Sequence, residues 1–484
     1  SDNFIEFNNS ILAVLDALDE TQNNEYRASD LFPFVGEYPN YSYSEEALTK
    51  GSATYNALNK MLKELELENI SAKELTEYFV KRWKFNRLDE NSNPIFSDDD
   101  IGRLIRIRYD MLRCQFSSTN PYTVAKGVDI SFLTYIKELS IVGVADRISS
   151  KRTYMYPGYA SHILGRVGSI TAETWDYYKS LGYGINDIVG IDGCENEFEE
   201  YLRGKDGVLT ITRNGDGEIV KEEITVAPIA GKDVWLTIDI DVQIAAEDAL
   251  ASYMKTYEKN SGASIAIDPN TGDVLAIASY PTYNLSTFSA DYNSLASNQD
   301  LPLLNRVLNA TYAPGSTYKV AVALAALQEG AITNSTCFTC NHGYKNHNLS
   351  IGCNNHNSYH TSNLNVIEAL TYSCNAFFIE AGLDNLDIDT MTEYCKALGL
   401  GQSSGIELSE KIGQIAHPDN ASDWLLYEEA SSYIGQSIHK YTPLQVTSYI
   451  ATVANGGTRY AAHLLHSVRT FSGEVVYEYA PTVL

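Results

Sequence analysis

Ser316 and Lys319 have residue types and a spacing that could support nucleophilic chemistry. They lie three positions apart in the segment APGSTYKVAVALAALQEG, residues 313–330, where an apolar stretch begins. Three residues is a little under one helical turn, so both side chains would project from the same face and their polar ends could meet. Because a serine hydroxyl is a weak nucleophile at neutral pH, an adjacent amine that has lost its proton can serve as its base. The pair therefore indicates covalent catalysis as one interpretation.

A structural role also fits these two residues. Serine is favoured as the N-cap of a helix, and lysine often buries its aliphatic stem while its ammonium group reaches water. The setting favours catalysis, because residues 320–327 are apolar on every face and predict a helix through the middle of a domain, ended near Gly330. At the first turn of such a helix, unpaired backbone N–H groups and the positive end of the dipole can stabilise a negative acyl oxygen.

Length and charge limit the class of protein. With 484 residues, the chain exceeds the size at which one hydrophobic core stops growing, so we expect two or more domains. Its 35 Lys and Arg residues against 62 Asp and Glu residues give a net charge of −27, which would repel nucleic acid. The longest purely apolar run, residues 320–327, is far shorter than the ~20 residues that span a bilayer. We therefore expect no nucleic-acid partner and no membrane anchor within this chain.

Local patterns predict a mixture of helices and strands in more than one domain. Residues 5–115 are predicted to be mainly helical, and Ser71 and Glu74 have capping-box spacing. Between residues 120 and 232, short β-branched runs alternate with glycine turns, and NGDG at residues 214–217 predicts a hairpin tip. From residue 233, DVWLTIDIDVQIAAEDAL predicts a strand and then a helix, followed by two strands joined by a turn at residues 268–272. We place a domain boundary between residues 232 and 233.

Four ordered motifs resemble those of the class B penicillin-binding proteins, membrane-anchored D,D-transpeptidases that cross-link peptidoglycan. The motifs are GASIAIDPNTGDVLAIASYPTYN, APGSTYK, EALTYSCNAFF with Ser373-Cys374-Asn375, and IGQSIHKYTPLQVTSYIATVANGG. Upstream, YASHILGRVG and GYGINDIVGIDGCENEFEEYLRGKDG are similar to the non-catalytic pedestal domain of that family. The resemblance covers roughly residues 120–484, and rod-elongation members are the most similar.

The resemblance implies an α+β, multidomain fold. Residues 1–232 would form an elongated N-terminal α+β pedestal domain of the dimerisation type, with a helical insertion. Residues 233–484 would form a penicillin-binding transpeptidase domain, an antiparallel sheet flanked by helices around a central buried helix. The third family motif, K-T-G or a close variant, is not found, and VRTFSGEVVYEYA is the hairpin that normally precedes it. We therefore expect the transpeptidase domain to be incomplete at its C-terminal end in this chain.

The resemblance also implies roles for four residues. Ser316 would be the nucleophile that the penultimate D-alanine carbonyl of a stem peptide acylates, and Lys319 would be its general base. Ser373 would relay protons near the leaving amine, and Asn375 would hydrogen-bond an amide of the acyl chain. Considered alone, Ser373 and Asn375 also fit the polar start of a helix. No cofactor would be needed for catalysis.

A cysteine and histidine segment, CFTCNHGYKNHNLSIGCNNHNSYHTSN, lies between the two catalytic motifs. The spacings Cys337-x2-Cys340 and Cys353-x2-His356 are similar to those of zinc ligands. Because the outer residues of Ser-Cys-Asn must face the cleft, we expect the Cys374 side chain to point away from it, toward this segment.

Similarity to rod-elongation members implies one structural zinc site with four ligands, which would be Cys340, Cys353, His360 and Cys374. Thr361 stands where those members have glycine after the histidine, so His356 remains a rival ligand. A disulfide between Cys340 and Cys353, which an extracytoplasmic location would permit, and free thiols are the alternatives.

The resemblance implies a serine-type peptidoglycan D,D-transpeptidase on the extracytoplasmic face of the cell membrane. Its partners would be peptidoglycan stem peptides on lipid-linked glycan strands, β-lactams that bind covalently, and a membrane glycosyltransferase. A penicillin-sensing receptor domain and a catalytically silent cell-wall scaffold are the alternatives. A receptor would lack the pedestal and the IGQ and TPLQ segments, and a scaffold would not need both motifs to be chemically competent.

Overall fold

The structure of the protein is a computed structural model that describes residues 3–21, 31–67, 69–117, 120–141, 143–146, 152–184, 187–215, 219–353 and 363–484. The chain divides into two compact units, Ser1–Ser150 and Lys151–Leu484. Among the described helices, none is at once long enough and apolar enough to cross a membrane.

The first unit is mainly helical, as predicted. Its elements are α1 (Asn3–Glu20), β1 (Phe34–Val35), β2 (Ser42–Tyr43), α2 (Glu45–Leu48), α3 (Ala53–Glu64), α4 (Ala72–Arg82), α5 (Asp98–Arg113) and α6 (Ile130–Leu139). The predicted capping box at α4 is confirmed, because the Ser71 hydroxyl accepts from the Glu74 N–H and the Glu74 carboxylate accepts from the Ser71 N–H. One face of α4 is buried, and its Phe79 stacks on Trp83 with ring centroids 4.6 Å apart. This unit therefore has its own aromatic core.

The second unit begins with small helices and two antiparallel strand pairs. These elements are α7 (Ser161–Leu164), β3 (Val167–Ser169), α8 (Trp175–Ser180), β4 (Ile188–Gly190), α9 (Gly193–Glu197), α10 (Glu199–Leu202), β5 (Val208–Arg213) and β6 (Ile219–Val226). Strand β3 pairs with β4, and β5 pairs with β6. The predicted hairpin is confirmed with Asn214 and Gly215 at its tip, whereas Asp216 and Gly217 lie outside the described residues.

The remainder of the second unit holds the central sheet and most helices. Its elements are β7 (Asp233–Leu236), α11 (Ile240–Thr256), β8 (Gly262–Ile267), β9 (Val274–Tyr280), α12 (Phe288–Ser297), α13 (Arg306–Asn309), α14 (Lys319–Gln328), β10 (Phe338–Thr339), β11 (Gly343–Asn346), β12 (Leu349–Gly352), β13 (Asn363–Leu364), α15 (Val366–Thr371), α16 (Asn375–Leu383), α17 (Ile388–Ala397), α18 (Leu426–Ser432), α19 (Pro443–Ala454), β14 (Leu465–Arg469) and β15 (Val475–Glu478). Two 3-10 turns, Gly315–Tyr318 and Pro418–Asn420, lie between them.

The strands of this region are antiparallel, as predicted. Strand β8 pairs with β9, with Ile265 opposite Ile277, and β7, β14 and β15 form a three-stranded sheet in the order β15-β14-β7. The turn at residues 268–272 joins β8 to β9 and ends on Gly272, whose φ of +85° suits a residue without a Cβ. Helix α11 starts at the N-cap Asp239 directly after β7, so the predicted strand and helix are both confirmed.

Helix α14 is the central buried helix that its composition predicts. Its buried residues are Lys319, Ala321, Val322, Ala323, Ala325 and Ala326, while Leu324 is 36% exposed. Helix α16 packs beside it and contributes Phe377 and Phe378 to the same core. The helix ends at Gln328, and Gly330 follows with a φ of +71°, as predicted. The first residues of α14 are therefore anchored in a large buried core.

Residues on both sides of the predicted boundary at 232/233 share one hydrophobic core. Ile163 and Phe198 from the earlier part belong to the same buried cluster as Val274, Ile277 and Leu464 from the later part. Residues 151–232 lie in the same compact unit as residues 233–484, and the boundary itself stays a prediction.

We expect this shared core to stabilise the later part. A fragment that starts at residue 233 loses Ile163 and Phe198, and each such buried side chain contributes about 1.5–3 kcal/mol. It should therefore melt several degrees below a fragment that starts at residue 152, both continuing to the end of the full protein. Calorimetry of the two fragments measures this, and equal melting temperatures would contradict the expected contribution.

Candidate active site

Ser316 is exposed and lies on the 3-10 turn Gly315–Tyr318, which leads directly into α14. It is not an N-cap: Pro314 precedes the turn, Tyr318 precedes the helix, and neither position has a side-chain capping bond. Lys319 is only 1% exposed, so it does not extend its ammonium group into water. The structural alternative of an N-cap serine with a solvent-seeking lysine is therefore wrong.

The Lys319 amine is held by Ser373-Cys374-Asn375, which we call the second motif because it follows the Ser316 and Lys319 motif among the catalytic motifs. Its Nζ lies 2.8 Å from the Ser373 carbonyl oxygen, 3.0 Å from Ser373 Oγ and 2.7 Å from Asn375 Oδ1. These three acceptors complete the hydrogen bonds of an ammonium group, which has three donors. Among the described residues, no carboxylate forms an ion pair with Lys319.

Burial without a carboxylate changes the acidity of this amine. Desolvation lowers the pKa of Lys319 to about 8, against an ordinary value of 10.5, although Cys353 and Cys374 act in the opposite direction. A group with this pKa is neutral in about one molecule in ten at pH 7 and in most molecules at pH 9. The amine can thus act as a base near neutral pH, which an ordinary lysine cannot.

Ser373 stands between the nucleophile and the amine. Its Oγ lies 2.9 Å from Ser316 Oγ and 3.0 Å from Lys319 Nζ, so the hydroxyl connects the two groups. The backbone at Ser373 has a φ of +52°, in the left-handed region that a serine rarely adopts. Such a conformation is often found where function requires a side chain in one place. Spacing alone predicts that Ser316 and Lys319 meet directly, whereas in the structure they meet through Ser373.

Asn375 is the first residue of α16, and its amide has two partners. Its Oδ1 accepts from Lys319, while its Nδ2 donates to the Gly352 carbonyl at 3.0 Å. The second bond fixes which way the amide points, so that the oxygen faces the amine. The N-cap position of α16 is Cys374, whose side chain makes no capping hydrogen bond. Helix capping therefore does not explain the presence of Ser373 and Asn375. Sequence reasoning missed Gly352, because a backbone carbonyl has no signal in residue types.

Three of the four predicted zinc ligands lie together behind this motif. The sulfur atoms of Cys340, Cys353 and Cys374 all lie within 4.8 Å of one another, and the three residues are at most 2% exposed. Cys374 therefore points away from Ser373 and Asn375, as predicted. Cys340 and Cys353 are not bonded to each other in the structure, and the choice among zinc, a disulfide and free thiols stays a prediction.

The donor set of this cluster suits zinc. Sulfur atoms bound to one tetrahedral zinc with bonds of about 2.3 Å stand about 3.8 Å apart, which is compatible with the observed cluster. The predicted fourth ligand, His360, and its rival His356 lie outside the described residues. Cys337 is exposed and does not belong to the cluster.

Two family models match the chain in succession. The Penicillin-binding Protein dimerisation domain matches residues 35–236, and the Penicillin binding protein transpeptidase domain matches residues 262–482. This chain belongs to the penicillin-binding protein family. The family fold has an N-terminal dimerisation domain and a C-terminal transpeptidase domain, and the predicted fold class is thereby confirmed.

Relatives of known name agree with the rod-elongation type. The chain is 30% identical to the peptidoglycan D,D-transpeptidase MrdA of Acinetobacter baumannii over 346 residues, which are 67% of this chain and 50% of that protein. The structure matches Pseudomonas aeruginosa PBP2 in complex with WCK 5153 with a TM-score of 0.55 and 29% identity, over 70% of this chain and 71% of that chain. It matches a chain of a peptidoglycan synthase complex that coordinates polymerization and crosslinking with a TM-score of 0.61 and 29% identity, over 78% and 68% of the two chains. The chain thus spans half the length of this curated relative.

The acidity of Lys319 predicts a pH dependence. If the neutral amine is the base, the rate of Ser316 acylation by a penicillin should rise with pH and reach half of its plateau near pH 8, because burial lowers the pKa to about 8. Stopped-flow or quenched mass spectrometry between pH 6 and 10 measures the rate, and melting temperatures at each pH identify any unfolding. A rate that is flat, or that rises only near 10.5, would contradict the assignment.

Proposed function

We propose that this chain is the acyl-transfer part of a peptidoglycan D,D-transpeptidase. The observation that supports this best is the chain of contacts from exposed Ser316 through Ser373 to the buried Lys319 amine. A nucleophile, a base and a connecting hydroxyl are the groups that serine acyl transfer requires. Family membership and the name of the A. baumannii relative support the substrate, which would be stem peptides ending in D-Ala-D-Ala.

The proposed reaction has two steps. In the first, Ser316 Oγ attacks the penultimate D-alanine carbonyl, its proton passes through the Ser373 hydroxyl to neutral Lys319, and the terminal D-alanine leaves as an amine that takes a proton back. In the second, the amine of another stem peptide attacks the carbonyl of the Ser316 ester, the bond to Ser316 Oγ breaks, and the proton lost by the amine passes to Ser316 Oγ, which restores the serine and forms the amide cross-link. Ser316 is exposed and can meet substrates, whereas Lys319 is shielded and keeps its lowered pKa.

A penicillin should acylate the same serine. Its strained amide would react in the first step, and the resulting ester would persist and mark the nucleophile. We expect tryptic peptide mapping of the full protein, after incubation with benzylpenicillin, to find the adduct on Ser316. An adduct on another serine would contradict the assignment. A protein that binds no penicillin would favour a silent scaffold, and one that is acylated but never forms cross-links would favour a receptor.

The role of Lys319 can be tested in the same assay. Lys319→Ala removes the base, so acylation should slow ~10²-fold or more, while noncovalent binding of the penicillin should change much less. The matched control is Lys411→Ala, because Lys411 is exposed and its backbone N–H donates to the Leu308 carbonyl at 2.9 Å, and among the described residues it contacts none of the groups around Ser316. An unchanged rate in Lys319→Ala would remove the amine from the mechanism.

We also propose that Cys340, Cys353, Cys374 and His360 hold one structural zinc. The buried sulfur cluster supports three of these ligands. Four protein ligands would leave no open position for chemistry, so the metal would order the loop behind Ser373 and Asn375 and take no part in acyl transfer. Because zinc would bind only when the loop is ordered, its binding free energy would stabilise the ordered loop and with it the second motif.

Elemental analysis should find about one zinc per chain. Cys374→Ser should lose most of this zinc and lower both the melting temperature and the acylation rate, since the loop behind Ser373 would loosen. Cys337→Ser is the matched control, because this exposed cysteine of the same segment lies outside the cluster. Metal-free protein in which Cys340 and Cys353 form a disulfide would overturn the zinc proposal.

We propose that residues 1–232 act as a non-catalytic pedestal and that residues 233–484 belong to the catalytic domain. The match to the dimerisation domain supports the first part.

The proposed location is the extracytoplasmic face of the cell membrane, and the proposed partner is a membrane glycosyltransferase. The similarity to one chain of a peptidoglycan synthase complex supports this partner. Crosslinking in cells with a probe in residues 1–232 would test this, and capture of cytoplasmic proteins alone would contradict it.

A further inference from the structure

The 3-10 turn that carries Ser316, Gly315–Tyr318, is attached to a later segment of the chain. We call it the nucleophile turn. The Gly315 N–H donates to the Gly435 carbonyl at 2.8 Å, and Tyr312 and Tyr441 exchange two backbone hydrogen bonds of 2.9 Å each. Gly435 has a φ of +73°, and a Cβ there would lie 2.1 Å from the Gly315 carbonyl oxygen. Only glycine therefore permits this close approach. The start of the turn and the segment that precedes it are thus fixed against residues more than a hundred positions away.

A buried polar cluster lies directly beneath the turn. We call it the tyrosine cluster, and its members are Tyr318, Cys395, His439, Tyr441 and Tyr449, each at most 1% exposed. The Tyr318 hydroxyl contacts Cys395 Sγ at 2.8 Å, and the Tyr318 ring lies 4.5 Å from the His439 ring. Because the Ala416 N–H donates to His439 Nδ1, that nitrogen has no proton and also accepts from the Tyr441 hydroxyl at 2.7 Å. These contacts link Tyr318, Cys395, His439 and Tyr441, and Tyr449 is buried in the same core as Tyr318, Cys395 and Tyr441.

Tyr449 contributes the contact nearest to the reacting groups. Its hydroxyl, from α19, donates to the Thr317 carbonyl. This carbonyl lies in the chain between Ser316 and Lys319, where the 3-10 turn changes into α14. A bond to it fixes the peptide plane there, and that plane sets the directions in which the two functional side chains project. A tyrosine hydroxyl inside a core normally finds a partner, but here the partner belongs to the nucleophile turn.

We propose that Tyr449 is a positioning residue for Ser316, and that the tyrosine cluster acts through it to keep the Ser316 hydroxyl in line with Ser373 and Lys319. This inference rests on the proposed function. Tyr449 contacts neither Ser316 nor Lys319 through its hydroxyl, so it would act on the geometry of acylation and not on the chemistry of the base. Misplacement of reacting groups by about 1 Å can cost 10²-fold in rate.

The test is Tyr449→Phe, which removes one hydroxyl and keeps the ring. The matched control is Tyr433→Phe, because Tyr433 is as deeply buried in the same core but donates to the Leu386 carbonyl at 3.2 Å, away from the nucleophile turn. Concentration-dependent acylation by benzylpenicillin in the full protein gives the noncovalent affinity and the acylation rate constant separately. Melting temperatures of both variants give the structural cost of losing a buried hydroxyl.

We expect Tyr449→Phe to lower the acylation rate constant about tenfold with little change in noncovalent affinity, whereas Tyr433→Phe should retain the wild-type rate constant at a similar loss of melting temperature. Equal rate constants in Tyr449→Phe and wild type would overturn the inference, as would equal losses in both variants. If Tyr449→Phe does not fold, Tyr318→Phe is measured, and a wild-type rate constant in that folded variant would also overturn it. A wild-type protein that benzylpenicillin never acylates would instead refute the proposed function.

Discussion

The site depends on one unfavourable condition, an amine buried without a carboxylate. Lys319, the first residue of α14, is buried and loses its hydration on folding, and three oxygen acceptors from the second motif replace that water. A carboxylate partner would stabilise the charged form and raise the pKa, so its place is taken by neutral acceptors. The result is an amine with a pKa of about 8, poised to accept a proton, at a cost in stability that the surrounding core must offset.

This condition explains why the surrounding elements converge from distant parts of the sequence. The acceptors must be held rigidly, because a loose loop would let water return to the amine. Asn375 is oriented by the Gly352 carbonyl of β12, and Cys374 between Ser373 and Asn375 packs into the buried sulfur cluster with Cys353. The hairpin of β11 and β12 therefore supports the second motif at two points. The Gly352 carbonyl bonds Asn375, and the Cys353 thiol, directly after β12, packs with Cys374.

The nucleophile turn is supported from the opposite side. The Gly435 carbonyl accepts from the Gly315 N–H, and the Tyr449 hydroxyl donates to the Thr317 carbonyl. The Ser373 hydroxyl contacts Ser316 Oγ. Helix α19, which carries Tyr449, also packs against β8, and residues of both elements share a second hydrophobic core with Ile163 and Phe198 of the earlier part. The reacting groups thus lie where three segments from distant parts of the sequence meet, and contacts among these segments hold the functional side chains in place.

The sequence by itself determined the local elements and the chemical identities at the site. The capping box at Ser71, the turn at Gly272 and the apolar helix from Lys319 onward depend on neighbouring residues, so period and turn chemistry predict them. The family motifs identified Ser316, Lys319, Ser373 and Asn375 as candidate functional residues. The position of Cys374 between Ser373 and Asn375 predicted the direction of its side chain.

Only the tertiary structure decided how these groups connect. Spacing alone predicted a direct contact between Ser316 and Lys319, but the buried amine bonds oxygen acceptors of Ser373 and Asn375, and Ser373 lies between the two. The Gly352 carbonyl and the Tyr449 hydroxyl act through contacts between segments far apart in the chain, and no pattern of residue types encodes a backbone carbonyl or the close approach of Gly435 to Gly315. The physical reason is that desolvation, which sets both the contacts and the acidity of the amine, exists only once the segments have packed together.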